Sequence, residues 1–133
     1  MSHQYLRDKV QSLDFRKLKN KSGFSCNYYR LTRKYGVKFY WNKRKRDEVV
    51  FRQRLVYNLG FAPKVLFLVQ KGKKYGFVTE HAIEGVSKKN LDKILDFTDK
   101  MLWSPYDLEE DRNVGMLNGK PVIIDFCSCT LGM

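Results

Sequence analysis

Cysteine and proline are scarce in this chain, and both shortages limit the kinds of protein it can be. Three cysteines are an odd number, and Cys127 and Cys129 are too close in sequence for an easy mutual bridge, so a disulfide scaffold is improbable. The same pair resembles half of a zinc site, but Cys26 and the two histidines do not complete it at a recognisable spacing. The cysteine usage predicts a reducing, cytoplasmic setting. The three prolines fall at predicted element boundaries.

Long apolar runs are also missing. No segment has the apolar length that a bilayer span requires, and residues 1–8 lack the apolar run and cleavage site of a secretory signal. A hydrophobic content of 43%, with 14% aromatic residues, is that of a folded protein. We therefore expect one compact domain of 133 residues with no membrane association.

Acidic residues are few in the first half of the chain. Residues 1–57 carry 16 Lys and Arg against 4 Asp and Glu, whereas residues 58–133 carry 10 of each, so the first half accounts for the whole net charge of +12. Such a surface attracts nucleotide phosphates, nucleic acid or an acidic partner protein. The alternative is a solvated basic surface that only maintains solubility.

Hydrophobic periodicity and turn residues predict helices and antiparallel strands in alternation. Helical spacing marks three segments, the last with Ser87 as its N-cap, and alternating aromatic and β-branched residues mark five strands before the final hairpin. In chain order these are a helix over 3–13, strands over 14–19, 26–32 and 35–42, a helix over 47–59, strands over 63–69 and 75–80, and a helix over 88–102.

A hairpin near the C-terminus is the most informative local feature. Asn118-Gly119 is a strong signal for a type I′ turn, because both central residues of that turn need positive φ. Folding the strands back on each other brings Asn113 and Asp125 to the same end, where an amide oxygen and a carboxylate can share a hard cation such as Mg²⁺. The alternative is an ordinary surface hairpin.

The order of these elements and residues resembles the protein-kinase-like superfamily, which includes protein kinases and small-molecule phosphotransferases. The resemblance covers residues 14–128 and implies an α+β fold: a five-stranded antiparallel N-lobe sheet with one packed helix, then a reduced C-lobe of one helix and a metal-site hairpin. It divides the chain into an N-terminal extension (1–13), an N-lobe (14–80) and a reduced C-lobe (81–133). The chain ends soon after the hairpin, which predicts a minimal module without a peptide-substrate lobe.

The resemblance also implies roles for residues of the N-lobe. Lys38, in Gly36-Val37-Lys38-Phe39-Tyr40, matches the phosphate-binding lysine, and Glu48 matches the helix glutamate that pairs with it. The residues that match the remaining cofactor contacts are Ser22, Gly23 and Ser25 in the glycine-rich loop, and Glu80 and Ala82 in the segment that binds adenine.

In the C-lobe, Ile124-Asp125-Phe126-Cys127 resembles the metal-binding Asp-Phe-Gly segment, and Asn113 matches the second metal ligand. Asp107 matches the catalytic base, although five residues rather than the usual four separate it from Asn113. Strict spacing places Leu108 at that position, and Asp111 or Glu110 are the other acids within reach.

These matches imply a kinase-like protein that binds Mg²⁺ with ATP or a related nucleotide, with or without phosphoryl transfer. A catalytically inactive scaffold or inhibitor that binds an acidic protein is the alternative. A further alternative is nucleic-acid binding through basic and aromatic residues of the first half. These are Arg30, Arg33, Lys34 and Lys43-Arg44-Lys45-Arg46, with Tyr28, Tyr29, Tyr35, Tyr40 and Trp41.

Overall fold

Three α-helices, one short 3-10 helix and two antiparallel sheets form the part of the chain that the computed structural model describes, residues 3–16, 21–22, 26–128 and 130–133. These elements divide into two units of similar size. The first contains residues 1–50 and 65–81, and the second contains residues 51–64 and 82–133. None of the described helices combines the length and apolar character that crossing a membrane requires.

The first unit is built on a sheet with the strand order β1-β2-β3-β5-β4. The helix of this unit is α1 (His3–Gln11), and the beginning of α2 (Lys43–Asn58) belongs to it as well. Its strands are β1 (Lys21–Ser22), β2 (Asn27–Arg30), β3 (Tyr35–Tyr40), β4 (Val65–Lys71) and β5 (Lys74–Glu80). β3 is central and is buried from its second residue to its last, which places Lys38 between Tyr28 of β2 and Phe77 of β5.

The core of the first unit lies between α1 and one face of the sheet. Leu6 and Val10 of α1 are fully buried, and they belong to one cluster with Val37, Phe39 and other sheet residues. Burying a side chain of this size contributes about 1.5–3 kcal/mol. Residues 3–11 are therefore an integral part of the first unit.

The strands predicted over 26–32, 35–42, 63–69 and 75–80 are confirmed, but the described part of the strand predicted over 14–19, residues 14–16, is not a strand. Residues 13 and 14 have no regular structure, residues 15 and 16 form a turn, and residues 17–20 lie outside the described residues. Among the described residues, the sheet thus has four strands of four or more residues. The fifth member, β1, is described for two residues beside β2.

The second unit contains the end of α2, then β6 (Ile83–Glu84), α3 (Lys88–Lys100), the 3-10 helix Asp111–Asn113, β7 (Val114–Leu117) and β8 (Lys120–Ile123). Strands β6, β7 and β8 form a sheet in that order. Ile94 of α3 is fully buried, and the Phe97 ring stacks on Phe61 with the ring centres 4.2 Å apart.

The limits of α2 and α3 differ from those predicted. α2 begins at Lys43 rather than Asp47, so the two acids at 47 and 48 fall in its second turn and its first turn contains no acid. α3 begins as predicted, because the Ser87 hydroxyl accepts a hydrogen bond from the Asn90 N–H at 3.3 Å. It ends before Leu102, the last residue of the predicted helix, which has a φ of 59° and is 92% exposed.

Candidate functional site

The hairpin of β7 and β8 is formed as the sequence predicts. Its two-residue turn has φ angles of 52° at Asn118 and 79° at Gly119, the positive values that a type I′ turn requires. Val114 pairs with Ile123, and beyond this pair the Ile124 N–H donates to the Asn113 carbonyl at 2.8 Å. Asn113 and Asp125 are therefore at the same end of the hairpin, one residue apart across the ladder.

Asn113 is held by its surroundings. It ends the 3-10 helix, is only 3% exposed, and donates from its side-chain nitrogen to the Asp107 carbonyl at 2.9 Å. This bond orients the amide, since the nitrogen faces the carbonyl and the oxygen is directed away from it. None of the described residues donates a hydrogen bond to that amide oxygen, Oδ1. The oxygen is oriented and is available as a ligand.

The Asp125 carboxylate is oriented in a similar way. One of its oxygens, Oδ1, accepts the Cys127 N–H at 2.9 Å, which forms a local Asx-type turn. The following residue, Phe126, is fully buried and fixes the backbone at this point. No described residue donates to the second carboxylate oxygen, Oδ2. Asp125 is half-buried, so this oxygen is placed by the fold without being enclosed.

An amide oxygen and a carboxylate oxygen at one end of a hairpin are hard donors of the kind that Mg²⁺ prefers. Magnesium sites in phosphate chemistry use one or two protein oxygens, and phosphates and water complete the octahedron. Within the described ranges, no group of three or more His, Cys, Asp or Glu side chains is placed to hold a metal ion. The pair at 113 and 125 would therefore need a ligand that brings its own oxygens.

In the loop before Asn113, the two positions that could hold the base differ in exposure: Asp107 is exposed and Leu108 is buried. The Asp107 side chain is exposed, and its backbone is held by its N–H donating to Thr130 O at 3.1 Å and its carbonyl accepting from Asn113. Leu108, which strict spacing assigns to the base position, is fully buried in the core of the second unit. Glu110 and Asp111 are exposed. Asp107 thus offers a solvated carboxylate that is tied to Asn113 through the backbone.

In the first unit, Lys38 is only 6% exposed, so it is not an ordinary surface lysine. Strands on both sides enclose it, and fixing a long side chain in this way removes much of its rotamer freedom. Glu48 is exposed in the second turn of α2, and it forms no ion pair with any residue of the described chain. The predicted pairing of Glu48 with Lys38 is therefore not formed in this structure.

The other predicted cofactor residues are only partly described. Gly23 and Ser25 lie outside the described residues, and for Ser22 only the backbone is described, in β1. Glu80 is the last residue of β5 and is half-buried. Ala82 is buried in the second unit, just before β6.

Between these two positions, His81 packs on Tyr28. The imidazole Nδ1 and the tyrosine hydroxyl are 2.5 Å apart, and the two rings are stacked with their centres separated by 5.7 Å. Gly36 makes room for this arrangement, because a Cβ atom at that position would lie 2.0 Å from the Tyr28 hydroxyl oxygen. His81 is therefore a packed residue.

Arg46, which the sequence suggests only as one of the basic residues for nucleic-acid binding, is a functional candidate of a different kind. It is 5% exposed, and its Nη1 donates to two backbone carbonyls, Val69 O at 3.2 Å and Gly76 O at 2.9 Å. A sequence signal for this burial exists, since positions 46, 49, 50 and 53 continue one helical face toward the N-terminus. The signal is missed when the helix is started at Asp47.

No protein-family model and no curated protein matches this chain.

Proposed function

We propose that the protein binds Mg²⁺ together with ATP or a related nucleotide, and that Asn113 and Asp125 hold the metal. The observation that carries this proposal is the pair of oriented oxygens at one end of the β7–β8 hairpin. Two protein oxygens suit Mg²⁺ only when phosphates supply further ligands, which favours a nucleotide over a free ion. The proposal includes a kinase-like fold and a cytoplasmic location, where Mg²⁺ and ATP are abundant.

Within this proposal the resemblance assigns Lys38 and Glu48 to phosphate binding and Asp107 to the base. The burial of Lys38 supports its part, because an enclosed ammonium is a fixed charge for phosphate oxygens. The fold also supports the scaffold alternative in one respect. Strict spacing assigns the catalytic base to position 108, where the structure has a buried leucine. Unless Asp107 acts as the base instead, this favours nucleotide binding without phosphoryl transfer.

Nucleic-acid binding through the first half receives less support. Tyr29 is 4% exposed and Tyr40 is 2% exposed, so neither ring is available for stacking on a base. Trp41 is 72% exposed, but Lys74 Nζ already lies 4.8 Å from its ring centre. Two of the five rings that the sequence suggested for stacking are therefore not available to a base.

Thermal unfolding with Mg·ATP tests the proposed function. A nucleotide at a hundred times its dissociation constant stabilises the folded state by about 2.7 kcal/mol, so millimolar Mg·ATP should raise the Tm clearly, and EDTA should reverse most of the rise. Asp125→Asn should remove the rise in Tm that depends on Mg²⁺. The matched control is Asp99→Asn, which changes an exposed carboxylate on α3 and should retain this rise.

Two further arms separate binding from turnover. Lys38→Met keeps the aliphatic stem but removes the ammonium, so it should weaken nucleotide binding with or without the metal. Transfer of labelled γ-phosphate by the wild type, abolished by Asp125→Asn, would exclude the pure scaffold. If Mg·ATP does not stabilise the wild type, or if Asp99→Asn loses as much stabilisation as Asp125→Asn, the proposed metal site is wrong.

A further inference from the structure

A pocket of about 660 Å³ lies in the first unit, between α1, the first turn of α2 and strands β4 and β5. We call it the α1–α2 pocket. Its charged lining consists of Arg7, Asp8, Lys43 and Arg46, and Leu68 and Tyr75 are among its other lining residues. Three cations against one carboxylate make the lining strongly positive. The volume is within the range of small-molecule sites.

Arg46 gives the pocket a fixed, nearly buried charge. Its Nε contacts Asp47 Oδ1 at 2.7 Å and its Nη1 is bound to two backbone carbonyls, so the guanidinium plane cannot rotate freely. Its third nitrogen, Nη2, makes no hydrogen bond to any described residue. A guanidinium that is 5% exposed and lines a pocket with spare donors is preorganised for an oxyanion.

The two other cations have no acidic partner among the described residues. Arg7 and Lys43 are exposed and form no ion pair with the part of the chain that the structure describes. Arg7 is positioned by the Phe67 ring, with its guanidinium carbon 4.2 Å from the ring centre. The carboxylate of Asp8 is occupied in part by the Gln4 side chain, whose Nε2 donates to it at 2.8 Å. Arg46 is ion-paired with Asp47, so Arg7 and Lys43 supply the unpaired positive charge of the pocket, which exceeds the single charge of Asp8.

The start of α2 adds positive charge beside the pocket, and this charge lowers the stability of the helix. The helix begins with Lys43-Arg44-Lys45-Arg46, and its first turn contains no acid. Cations at the N-terminus of a helix oppose the helix dipole, whereas an anion there is favoured. Asn42 caps the Arg44 N–H at 2.8 Å but brings no charge. A local arrangement that costs stability without a structural gain is typical of a functional site.

We infer that the α1–α2 pocket binds a phosphate-class anion carried by a small molecule. The guanidinium of Arg7, the Nη2 of Arg46 and the ammonium of Lys43 around an open pocket match the three or four oxygens of a phosphate group better than the two oxygens of a carboxylate. Free inorganic phosphate and the terminal phosphate of a nucleotide share this chemistry. The site uses no metal and does not rest on the proposed function.

Amide NMR titration of the intact chain tests this inference. Inorganic phosphate and pyrophosphate are added in EDTA, with chloride at equal ionic strength as the reference. Saturable shifts should appear at the amides of Arg7, Lys43, Arg46 and Tyr75. AMP and ADP added under the same conditions distinguish the sources: ADP binding more tightly than pyrophosphate points to a nucleotide, and the reverse order points to the inorganic anion.

Charge variants locate the site. The double variant Arg7→Gln/Lys43→Gln changes exposed positions and should bind pyrophosphate roughly tenfold more weakly. Lys43→Arg keeps the charge and should retain binding. Lys89→Gln is the matched control, since it removes the same charge from an exposed position in the first turn of α3.

Four results would overturn the inference. They are the absence of saturable shifts with both inorganic anions, equal shifts with chloride, equal weakening by Lys89→Gln, and binding at these residues by an oligonucleotide but by none of the small phosphates. The last result would instead identify a nucleic-acid interface.

Discussion

Gly76 lies within β5, and we expect the single methyl group added by Gly76→Ala to destabilise the first unit strongly. A Cβ atom there would lie 2.4 Å from the Lys38 carbonyl oxygen and 2.7 Å from the Phe39 ring. The carbonyl belongs to the backbone of the neighbouring central strand, so it cannot move aside cheaply. Gly76→Ala should therefore separate β5 from β3 beside Lys38.

The expected magnitude is a balance of two effects. Replacing glycine with alanine restricts the unfolded chain and would by itself stabilise the protein by about 0.4–1 kcal/mol. Overpacking against backbone and a buried ring costs about 1–3 kcal/mol, and more when the backbone must shift. We expect a net loss of about 2 kcal/mol, which is a fall in Tm of roughly 6–10 °C for a chain of this length.

Gly72→Ala is the matched control because it lies in the turn of the same hairpin. Its φ of 59° is strained for alanine, but nothing lies within 4 Å of a Cβ atom there. The strain of about 1 kcal/mol is largely offset because alanine also restricts the unfolded chain. The net change in the free energy of unfolding should therefore stay within about 1 kcal/mol.

The assay is urea unfolding followed by circular dichroism and tryptophan fluorescence. The chain has two tryptophans, Trp41 in the first unit and Trp103 in the second, so a Trp103→Phe background lets fluorescence report on the first unit alone. Coincident transitions by the two methods justify a two-state free energy. If Gly76→Ala costs no more than Gly72→Ala, the close approach of β3 and β5 at this position is refuted.

Two other substitutions test the helix ends. Ser87→Ala removes the N-cap of α3 and should cost about 1 kcal/mol in urea unfolding followed by Trp103 fluorescence, and an unchanged midpoint would contradict the cap. Lys43→Glu replaces a cation at the start of α2 with an anion that suits the helix dipole, so it should stabilise the protein by about 0.3–1 kcal/mol at low salt while weakening phosphate binding. A loss of stability, or a gain that does not diminish as salt is added, would show that the dipole is not the cause.

Local chemistry made the hairpin and the start of α3 predictable. Asn118-Gly119 requires a specific turn, and a two-residue turn fixes the register of both strands, so the meeting of Asn113 and Asp125 followed from sequence. The start of α3 was equally determined, since Ser87 is a strong cap before an amphipathic run.

Elements that depend on distant contacts were predicted less well. Residues 14–16 have an apolar and polar pattern that suits a strand, yet they connect α1 to the sheet, and Phe15 packs on Tyr29 and Phe39 instead of extending the ladder. Similarly, Arg46 looks like a surface cation in a basic run, and its burial depends on backbone carbonyls of β4 and β5. The sequence does not show which backbone carbonyls will lie close to the Arg46 guanidinium in the folded chain.

The sequence by itself determined the α+β class, the antiparallel pairing, the two-residue turn and the excess of positive charge in the first half, because these depend on residue type and short-range spacing. The tertiary structure decided which charged groups are enclosed and oriented. Only folding places Lys38 between two strands and fixes Arg46 beside an open pocket. Only folding also orients the Asn113 amide, because its nitrogen donates to the Asp107 carbonyl. These properties depend on groups far apart in the chain, and burial and hydrogen bonding of such groups arise only when the chain packs.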